Sequence, residues 1–344
     1  MSKVLVIATS SKTCGGITSV VKAHQCGPQW NEYDCKWIET HIDTSVFMAL
    51  WYLFKGYLKF LIHLPFAKII HIHLSEPNSA KRKLLFFVPA YLFGKKTIAH
   101  FHAFSPDSTI YGRNRWIYRY IFSRSKKVIV LSESWKETVN KAFSLENIEV
   151  VYNPCSTVIN KNKYEKQKHI LYAGTINARK GYADMIRAFA KIAKQHAEWK
   201  IVFAGNGEIE QGMALAKELG IEKQCIFLGW VNGDKKDKAF KEASIFCLPS
   251  YAEGFPMAVL DAWAYGLPVI TTPVGGIPDV AKNAENMFVF TPGDVDALAG
   301  CMQQLITDEE LYDKIQKASV NLADKRFSMS EINRQIGNLY KRIL

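Results

Sequence analysis

The sequence lacks the features that mark several large protein classes. None of its seven cysteines is spaced as C-x-x-C, which argues against a disulfide framework and a cysteine-based zinc site. Two aromatic-rich uncharged stretches, Val46–Phe54 and Leu84–Gly94, hold only nine and eleven residues, whereas about 20 apolar residues are needed to cross a bilayer. The apolar run after Met1 is too short for a signal peptide. We therefore expect a cytoplasmic protein that does not span a membrane.

Common nucleotide and metal signatures are also missing. The segment Ser10–Thr18 contains Gly15 and Gly16 but neither G-x-G-x-x-G nor the G-K-[ST] of a P-loop. The two glycines allow close approach of a phosphate, and a tight turn explains them equally well. The D-x-D sequence at 294–296 follows Pro292-Gly293 and opens an amphipathic helix, so Asp294 is predicted to be an N-cap. We predict no metal site there.

Acidic residues are scarce in the first half of the chain. Residues 1–168 hold 24 Lys and Arg against 11 Asp and Glu, a net charge of +13, and the remainder holds 20 against 21. The positive charge therefore belongs wholly to the N-terminal half. Such an asymmetry indicates an anionic partner, either nucleic acid or an anionic membrane surface.

Short apolar runs alternate with helical patterns along the whole chain. Predicted strands are Lys3–Ala8, Lys68–His73, Thr97–His102, Lys127–Leu131, Glu149–Tyr152, Ile170–Ala173, Lys200–Ala204, Cys225–Leu228, Ile245–Leu248 and Val269–Thr272. Predicted helices are Ser45–Leu64, Ser79–Phe93, Arg115–Phe122, Tyr182–His196, Pro256–Tyr265, Val295–Ile306 and Ser330–Leu344. Continuous apolar strands alternating with helices predict an α/β protein in which a doubly wound parallel sheet is formed twice. The polar run Asn160–Lys168 is predicted to link the two.

The loop Gly174–Gly181 is a candidate phosphate site. It lies between a predicted strand and a helix, and it carries Arg179 and Lys180. The helix macrodipole disfavours cations at a helix N-terminus unless an anion is bound there. Binding of a phosphate is therefore favoured over the alternative of a solvated basic loop.

A second candidate site begins at Glu253. Pro256 suits the first position of a helix, and Gly266 suits its end. Asp261 lies within this otherwise apolar helix, where a buried carboxylate would need a partner such as ribose hydroxyls. The alternative is that the carboxylate of Asp261 is exposed to solvent and needs no such partner.

Two histidine pairs lie at the ends of neighbouring predicted strands. His100 and His102 could bind a metal, but no third ligand lies at an evident spacing, and a structural role is equally plausible. For His71 and His73 the structural role is favoured.

The block Tyr251–Val280 resembles the E-x7-E, G-x-P-V-I and G-G-x-x-[DE] segments of the retaining family-four glycosyltransferases of GT-B fold. Matches at Val151–Pro154, Gly205–Glu208 and Phe227–Trp230 extend the resemblance over nearly the whole chain. It implies two Rossmann-like domains that face each other across a cleft. Residues 1–163 would bind the acceptor and 164–327 the nucleotide sugar, and 328–344 would form a helix that crosses back to the N-terminal domain.

The resemblance implies transfer of a hexosyl or N-acetylhexosaminyl group from a nucleotide-diphosphate sugar, with UDP favoured over GDP and with neither metal nor cofactor. Arg179 and Lys180 would neutralise the diphosphate. Glu253 would contact the transferred sugar, and His102 would lie near it. Asp261 would hold the ribose. The other residues implied in donor binding are Gly15, Gly16, Thr175, Gly205, Asn206, Trp230, Gly254, Phe255, Pro256 and Met257. The sequence departs from the family at Thr175, where arginine is usual, and at Asp261, where glutamate is usual.

The basic N-terminal half suggests where the acceptor lies. Lys81, Arg82 and Lys83 fall in the first turn of a predicted helix, where cations favour a nearby anion such as a lipid diphosphate. Arg115 and Arg119 alternate with aromatic residues in a candidate interfacial helix. We predict a lipid-linked acceptor in cell-surface polysaccharide synthesis, a peripheral location on the inner face of the cell membrane, and no nucleic acid.

Three alternatives stay open. The basic residues could be solvated, with Val46–Leu64 covering the sheet. A sugar-nucleotide epimerase of the same fold would use the same donor loops. A basic nucleic-acid- or membrane-binding protein without transferase activity would explain the charge, but not a phosphate loop in the neutral half.

Overall fold

The computed structural model describes residues 3–13, 15–103, 105–155 and 165–344. The chain forms two compact units. The first consists of Met1–Pro154, Glu253–Phe255 and Phe327–Leu344, and the second of Cys155–Ala252 and Pro256–Arg326. The predicted boundary between residues 163 and 164 and the first five residues of the predicted linker lie outside the described residues.

The first unit contains a six-stranded parallel sheet. Its strands are β1 (Val4–Ala8), β2 (Cys35–Glu39), β3 (Ile69–Leu74), β4 (Lys96–Phe101), β5 (Lys127–Val130) and β6 (Ile148–Val150). They are arranged in the order β2-β1-β3-β4-β5-β6. Every residue of β1 and β3 is buried, because helices cover both faces of the sheet.

The second unit contains a parallel sheet of the same size. Its strands are β7 (His169–Ala173), β8 (Lys200–Ala204), β9 (Cys225–Gly229), β10 (Ile245–Leu248), β11 (Val269–Thr271) and β12 (Phe288–Val289). The order is β12-β11-β10-β7-β8-β9. The two sheets confirm the prediction of a doubly wound α/β architecture formed twice.

Helices alternate with the strands in the described part of the chain. Up to β6 they are α1 (Gly16–Gln25), α2 (Pro28–Glu32), α3 (Val46–His63), α4 (Pro77–Leu92), α5 (Arg115–Arg124) and α6 (Glu133–Phe143). Those that follow are α7 (Tyr182–Ile192), α8 (Ile209–Glu218), α9 (Gly233–Glu242), α10 (Met257–Ala264), α11 (Val295–Thr307), α12 (Glu309–Phe327) and α13 (Met329–Ile343). None of these helices combines the length and apolarity needed to cross a bilayer.

Several helix boundaries differ from the prediction. Helix α4 begins at Pro77, two residues before the predicted start, so residues 81–83 lie in its second turn and not in its first. Helix α10 begins at Met257 with Pro256 as its N-cap. Gly266 follows with φ of 67°, the left-handed conformation expected of a helix stop. Asp294 caps α11 as predicted, because its Oδ1 accepts a 2.9 Å hydrogen bond from the N–H of Ala297.

Strand order defines one switch point in each sheet. Such points lie where successive strands are added on opposite sides, and ligands of doubly wound proteins bind beyond the carboxyl ends of the strands there. In the first sheet the point lies between β1 and β3, and in the second between β7 and β10. A ligand site is therefore expected in the loops after these four strands.

Candidate functional site

The loop between β7 and α7 lies at the switch point of the second sheet. A Cβ at Gly174 would come within 3.3 Å of Cδ and Nζ of Lys180, so the lysine side chain lies over the carboxyl end of β7. Arg179 donates a 2.5 Å hydrogen bond to the carbonyl oxygen of Ala252. The loop thus places two cations at the N-terminal end of α7, where a phosphate group would be held by charge and by backbone N–H groups.

The neighbouring loop after β8 packs tightly against this one. A Cβ at Gly205 would lie 1.8 Å from the carbonyl oxygen of Gly174, so only glycine fits. Asn206 accepts a 2.7 Å hydrogen bond through its carbonyl oxygen from the N–H of Ile176. The structure therefore brings the predicted Gly205 and Asn206 beside the loop that contains Thr175, which is exposed.

Asp184 supplies a negative charge in the first turn of α7. Its buried carboxylate accepts a 2.7 Å hydrogen bond from the hydroxyl of Tyr251 and lies 3.5 Å from Arg187. This acid complements the helix N-terminus, so Arg179 and Lys180 are not the only charges that act there. Asp184 and Tyr251 were not predicted, because the fold alone brings them together.

Asp261 is buried in α10, and an ion pair compensates its charge. Its carboxylate Oδ2 lies 2.5 Å from Nζ of Lys236 on α9, and 9% of the Asp261 side chain is exposed. The predicted alternative of an exposed acid is therefore wrong. Lys236 was missed because it lies in the charged segment DKKDK, which is typical of a solvated helix face. Near this segment, Trp230 follows the end of β9 and is exposed.

Glu253, Gly254 and Phe255 belong to the first unit. The carbonyl oxygen of Phe255 accepts a 3.0 Å hydrogen bond from the amide of Asn153, and its buried ring packs against Tyr152 at 5.6 Å. A Cβ at Gly254 would lie 2.8 Å from the carbonyl oxygen of Ala103. The residue after Glu253 thus touches the residue after His102, which places both predicted catalytic residues in one region of the first unit.

His102 belongs to a cluster of five histidines on one face of the first sheet. The cluster consists of His24, His71, His73, His100 and His102. His73 Nδ1 lies 2.9 Å from His102 Nε2, and His71 Nε2 lies 3.2 Å from His100 Nδ1. The C-terminal helix α13 closes the cluster, since Tyr340 and Asn333 hydrogen-bond to His71 and His24.

The cluster is held in the neutral state. Burial lowers the pKa of His24 to about 4 and that of His102 to about 3. It also lowers the pKa values of His71, His73 and His100 well below the ordinary value, and neighbouring histidines add to the shift. At neutral pH, His102 is therefore an uncharged imidazole. It can donate or accept a hydrogen bond, but it brings no positive charge to the site.

Three of these rings form a potential set of metal ligands. The spacing of the histidines in the sequence did not indicate this set. His71, His73 and His100 each offer a nitrogen, and these atoms lie within 4.8 Å of one another. The ring of His71 is stacked on His73 at 21° and on His100 at 11°. Stacked rings direct their nitrogens alongside one another and not toward a common point, which favours the structural role of His71 and His73 over a tetrahedral metal site.

Gly15 and Gly16 lie at the switch point of the first sheet. Gly15 is the N-cap of α1, which begins at Gly16, and a Cβ at Gly15 would meet no atom within 4 Å. Both glycines are exposed. Within the part of the chain that the structure describes, no packing requires glycine at position 15, and a ligand could approach its backbone.

The residues predicted to face an acceptor or a membrane are not all at the surface. Lys83 is fully buried and donates a hydrogen bond to the hydroxyl of Thr40, so its prediction as an acceptor or membrane contact is wrong. Burial lowers the pKa of Lys83 well below its ordinary value. Lys81 and Arg119 are exposed, and Arg82 is half-buried. Arg115 is exposed but donates a 2.7 Å hydrogen bond to the carbonyl oxygen of Ala142, which ties its guanidinium to the end of α6.

Two family models match consecutive parts of the chain. The model described as "Glycosyltransferase Family 4" matches residues 43–158. The model described as "Glycosyl transferases group 1" matches residues 157–321. Between them they include the predicted phosphate loop, the Glu253 segment and Asp261.

Proteins of similar sequence are described as glycosyltransferases. An uncharacterized glycosyltransferase of Methanocaldococcus jannaschii is 31% identical over 63% of this chain and 60% of its own length. A lipopolysaccharide 1,6-galactosyltransferase of Salmonella typhimurium is 30% identical over 54% of this chain and 53% of its own length. The chain thus spans less than two thirds of these relatives.

Solved structures share the fold over the full length. HepE of Anabaena, solved in complex with UDP-glucose, superposes with a TM-score of 0.80 over 99% of this chain and 100% of its own, at 17% identity. At that identity the similarity establishes the fold alone.

Proposed function

Because the chain belongs to the family-four glycosyltransferases of GT-B fold, we propose that it transfers a sugar from a UDP-sugar to a lipid-linked glycan with retention of anomeric configuration. The transferred group is a hexosyl or N-acetylhexosaminyl residue. UDP as the nucleotide is supported by the complex of Anabaena HepE with UDP-glucose. A glycan acceptor in cell-surface polysaccharide synthesis is supported by the name of the Salmonella relative.

The switch-point loop of the second unit carries this proposal. The ammonium of Lys180 over the end of β7, the guanidinium of Arg179 and the N-terminus of α7 together suit a diphosphate. Asp261, on a buried helix, would accept hydrogen bonds from the ribose hydroxyls, with Lys236 orienting its carboxylate. These protein cations would carry the charge of the leaving group without a metal ion.

In the proposed reaction, an acceptor hydroxyl forms a bond to the anomeric carbon on the face from which the diphosphate departs. The bond between that carbon and the phosphate oxygen breaks, and the hydroxyl proton passes to the released phosphate. Glu253 would hold the sugar hydroxyls as charge develops on the ring. His102, neutral at working pH, would hydrogen-bond to the reacting sugar. No protein nucleophile is required.

A panel of UDP-sugars tests the proposal, with release of UDP measured in the presence of lipid-linked and water-soluble glycans. Glu253→Ala should lower kcat at least a hundredfold, about 3 kcal/mol. Asp261→Ala should act mainly on the KM for the donor. The matched control Glu210→Ala, in the first turn of α8, should change neither constant.

The reaction products distinguish the proposed glycosyltransferase from an epimerase and from a binding protein. An epimerase would release a free sugar without an acceptor product, and a binding protein would release no UDP. Normal kinetics of both site variants would show that the assigned residues are wrong.

A further inference from the structure

The outer face of α3 is apolar where the surface of a helix is ordinarily polar. Phe47, Leu50, Phe54 and Ile62 are 76%, 60%, 56% and 66% exposed. Trp51 lies among them and is also exposed. Leu58 is exposed as well, so Phe47, Leu50, Phe54, Leu58 and Ile62 recur every three or four residues and form one stripe along a helix about 27 Å long. An apolar surface of this extent indicates a site of interaction.

The opposite face of α3 accounts for its attachment to the first unit. Gly56 and Phe60 are its buried residues. A Cβ at Gly56 would lie 2.1 Å from the carbonyl oxygen of Glu39 in β2, and Phe60 packs edge-to-face on Phe86 of α4 at 5.2 Å. The exposed apolar side chains are therefore not needed to hold the helix in place. The prediction that Val46–Leu64 simply covers the sheet explains only this inner face.

Exposed apolar side chains also lie on α4, which packs against α3. Leu85 and Leu92 are exposed, as is Phe93 just beyond the helix end. We call the outer stripe of α3 together with these residues the apolar face.

The charge around the apolar face is almost entirely positive. Helices α3 and α4 contain five Lys and Arg, of which only Lys83 is buried, and no acid, and Glu76 is the N-cap of α4. Lys55 on α3 and Lys81 on α4 are exposed. Two copies of such a surface would repel each other, whereas an anionic lipid surface is complementary in both charge and polarity.

We propose that the apolar face inserts into the headgroup region of an anionic phospholipid leaflet, with α3 parallel to the membrane and Lys55 and Lys81 at the phosphates. The inference rests on the lipid-linked acceptor of the proposed function and deepens it. It places that contact on α3 and α4, whereas the sequence pointed to Arg115 and Arg119 on α5.

Sedimentation with vesicles tests the proposal, with no donor or acceptor present, so that failure of membrane binding is distinct from failure of glycosyl transfer. On vesicles of equal phosphatidylglycerol and phosphatidylcholine, Leu50→Ser with Phe54→Ser should weaken binding at least about tenfold. The matched control, Met213→Ser with Leu219→Ser, removes comparably exposed residues from the second unit and should leave binding unchanged. Thermal unfolding should be similar in all three proteins, because these side chains point to solvent.

Tryptophan fluorescence identifies the inserted helix. Trp51 on α3 and Trp116 on α5 are 50% and 59% exposed, so each reports on one of the two helices. Brominated lipids should quench emission of the wild type and of Trp116→Phe, and the quenching should be largely lost in Trp51→Phe. The reverse pattern, or no quenching at all, would overturn the proposal.

The alternative partner for the apolar face is a second copy of the chain. If the apolar face joins two copies, light scattering without vesicles would show a dimer that Leu50→Ser with Phe54→Ser converts to a monomer. That result would also overturn the proposal. Loss of vesicle binding with unaltered UDP release to a water-soluble acceptor is the outcome that we expect.

Discussion

Mild acid should destabilise this protein because its histidine cluster is buried in the neutral state. The pKa of His24 is lowered from the ordinary value of 6.5 to about 4 by burial, against the hydrogen bond that its Nδ1 donates to Asn333 Oδ1, which raises it. Above pH 6.5 neither the folded nor the unfolded chain binds the proton. As the pH falls below 6.5, the unfolded chain takes it up first, so the free energy of unfolding falls until about pH 4, where the folded chain is protonated too.

The size of this effect follows from the shift. At about pH 5, His24 alone should lower the free energy of unfolding by about 2 kcal/mol, since each pH unit below 6.5 contributes about 1.4 kcal/mol. His71, His73, His100 and His102 act in the same direction. A loss of about 2 kcal/mol is already a large fraction of the about 5–15 kcal/mol that stabilises a typical domain.

Urea unfolding at about pH 7.5 and about pH 5 measures the loss. In His24→Gln the loss between the two pH values should be about 2 kcal/mol smaller than in the wild type, whatever the variant costs at neutral pH. The control His196→Gln, which lies outside the cluster in the second unit, should keep the full loss. An equal loss in wild type and His24→Gln would refute the assignment of acid sensitivity to the cluster.

Three further predictions follow from single contacts. Activity should survive EDTA, because Arg179 and Lys180 are assigned the charge of the leaving diphosphate; loss of activity that Mg²⁺ or Mn²⁺ restores would contradict that assignment. Lys83→Met should leave thermal stability unchanged or raise it, because it replaces a buried amino group by an apolar side chain of similar length, and vesicle binding should not change. Lys236→Met should lower the free energy of unfolding by about 1–2 kcal/mol, since Asp261 loses its ion pair while Lys236 is partly exposed, and Asp261→Asn in the same chain should recover part of the loss.

Most strands were predictable from a largely apolar run, whereas strand β2 was not. Strands β8 and β10 have the predicted bounds, because a continuous apolar run is typical of a strand covered on both faces. Strand β2 was missed, since Lys36 and Glu39 interrupt its apolar residues. It lies at the edge of the sheet, where a strand need not be apolar throughout. Helix α9 was missed for a related reason, because a highly charged segment has no strong apolar period.

The sequence by itself determined the local features of this protein. Alternating strands and helices, the N-cap at Asp294, the glycine stop at Gly266 and the basic loop at Arg179 depend on residues close together in the chain, so their patterns can be read without the fold. Only the tertiary structure decided which side of each element is covered. It buried Lys83 against Thr40, paired Asp261 with Lys236, and collected five histidines from α1, β3, β4 and the loop after it. It also left the apolar stripe of α3 exposed, because coverage of a face depends on neighbours that are distant in sequence and close only in the folded chain.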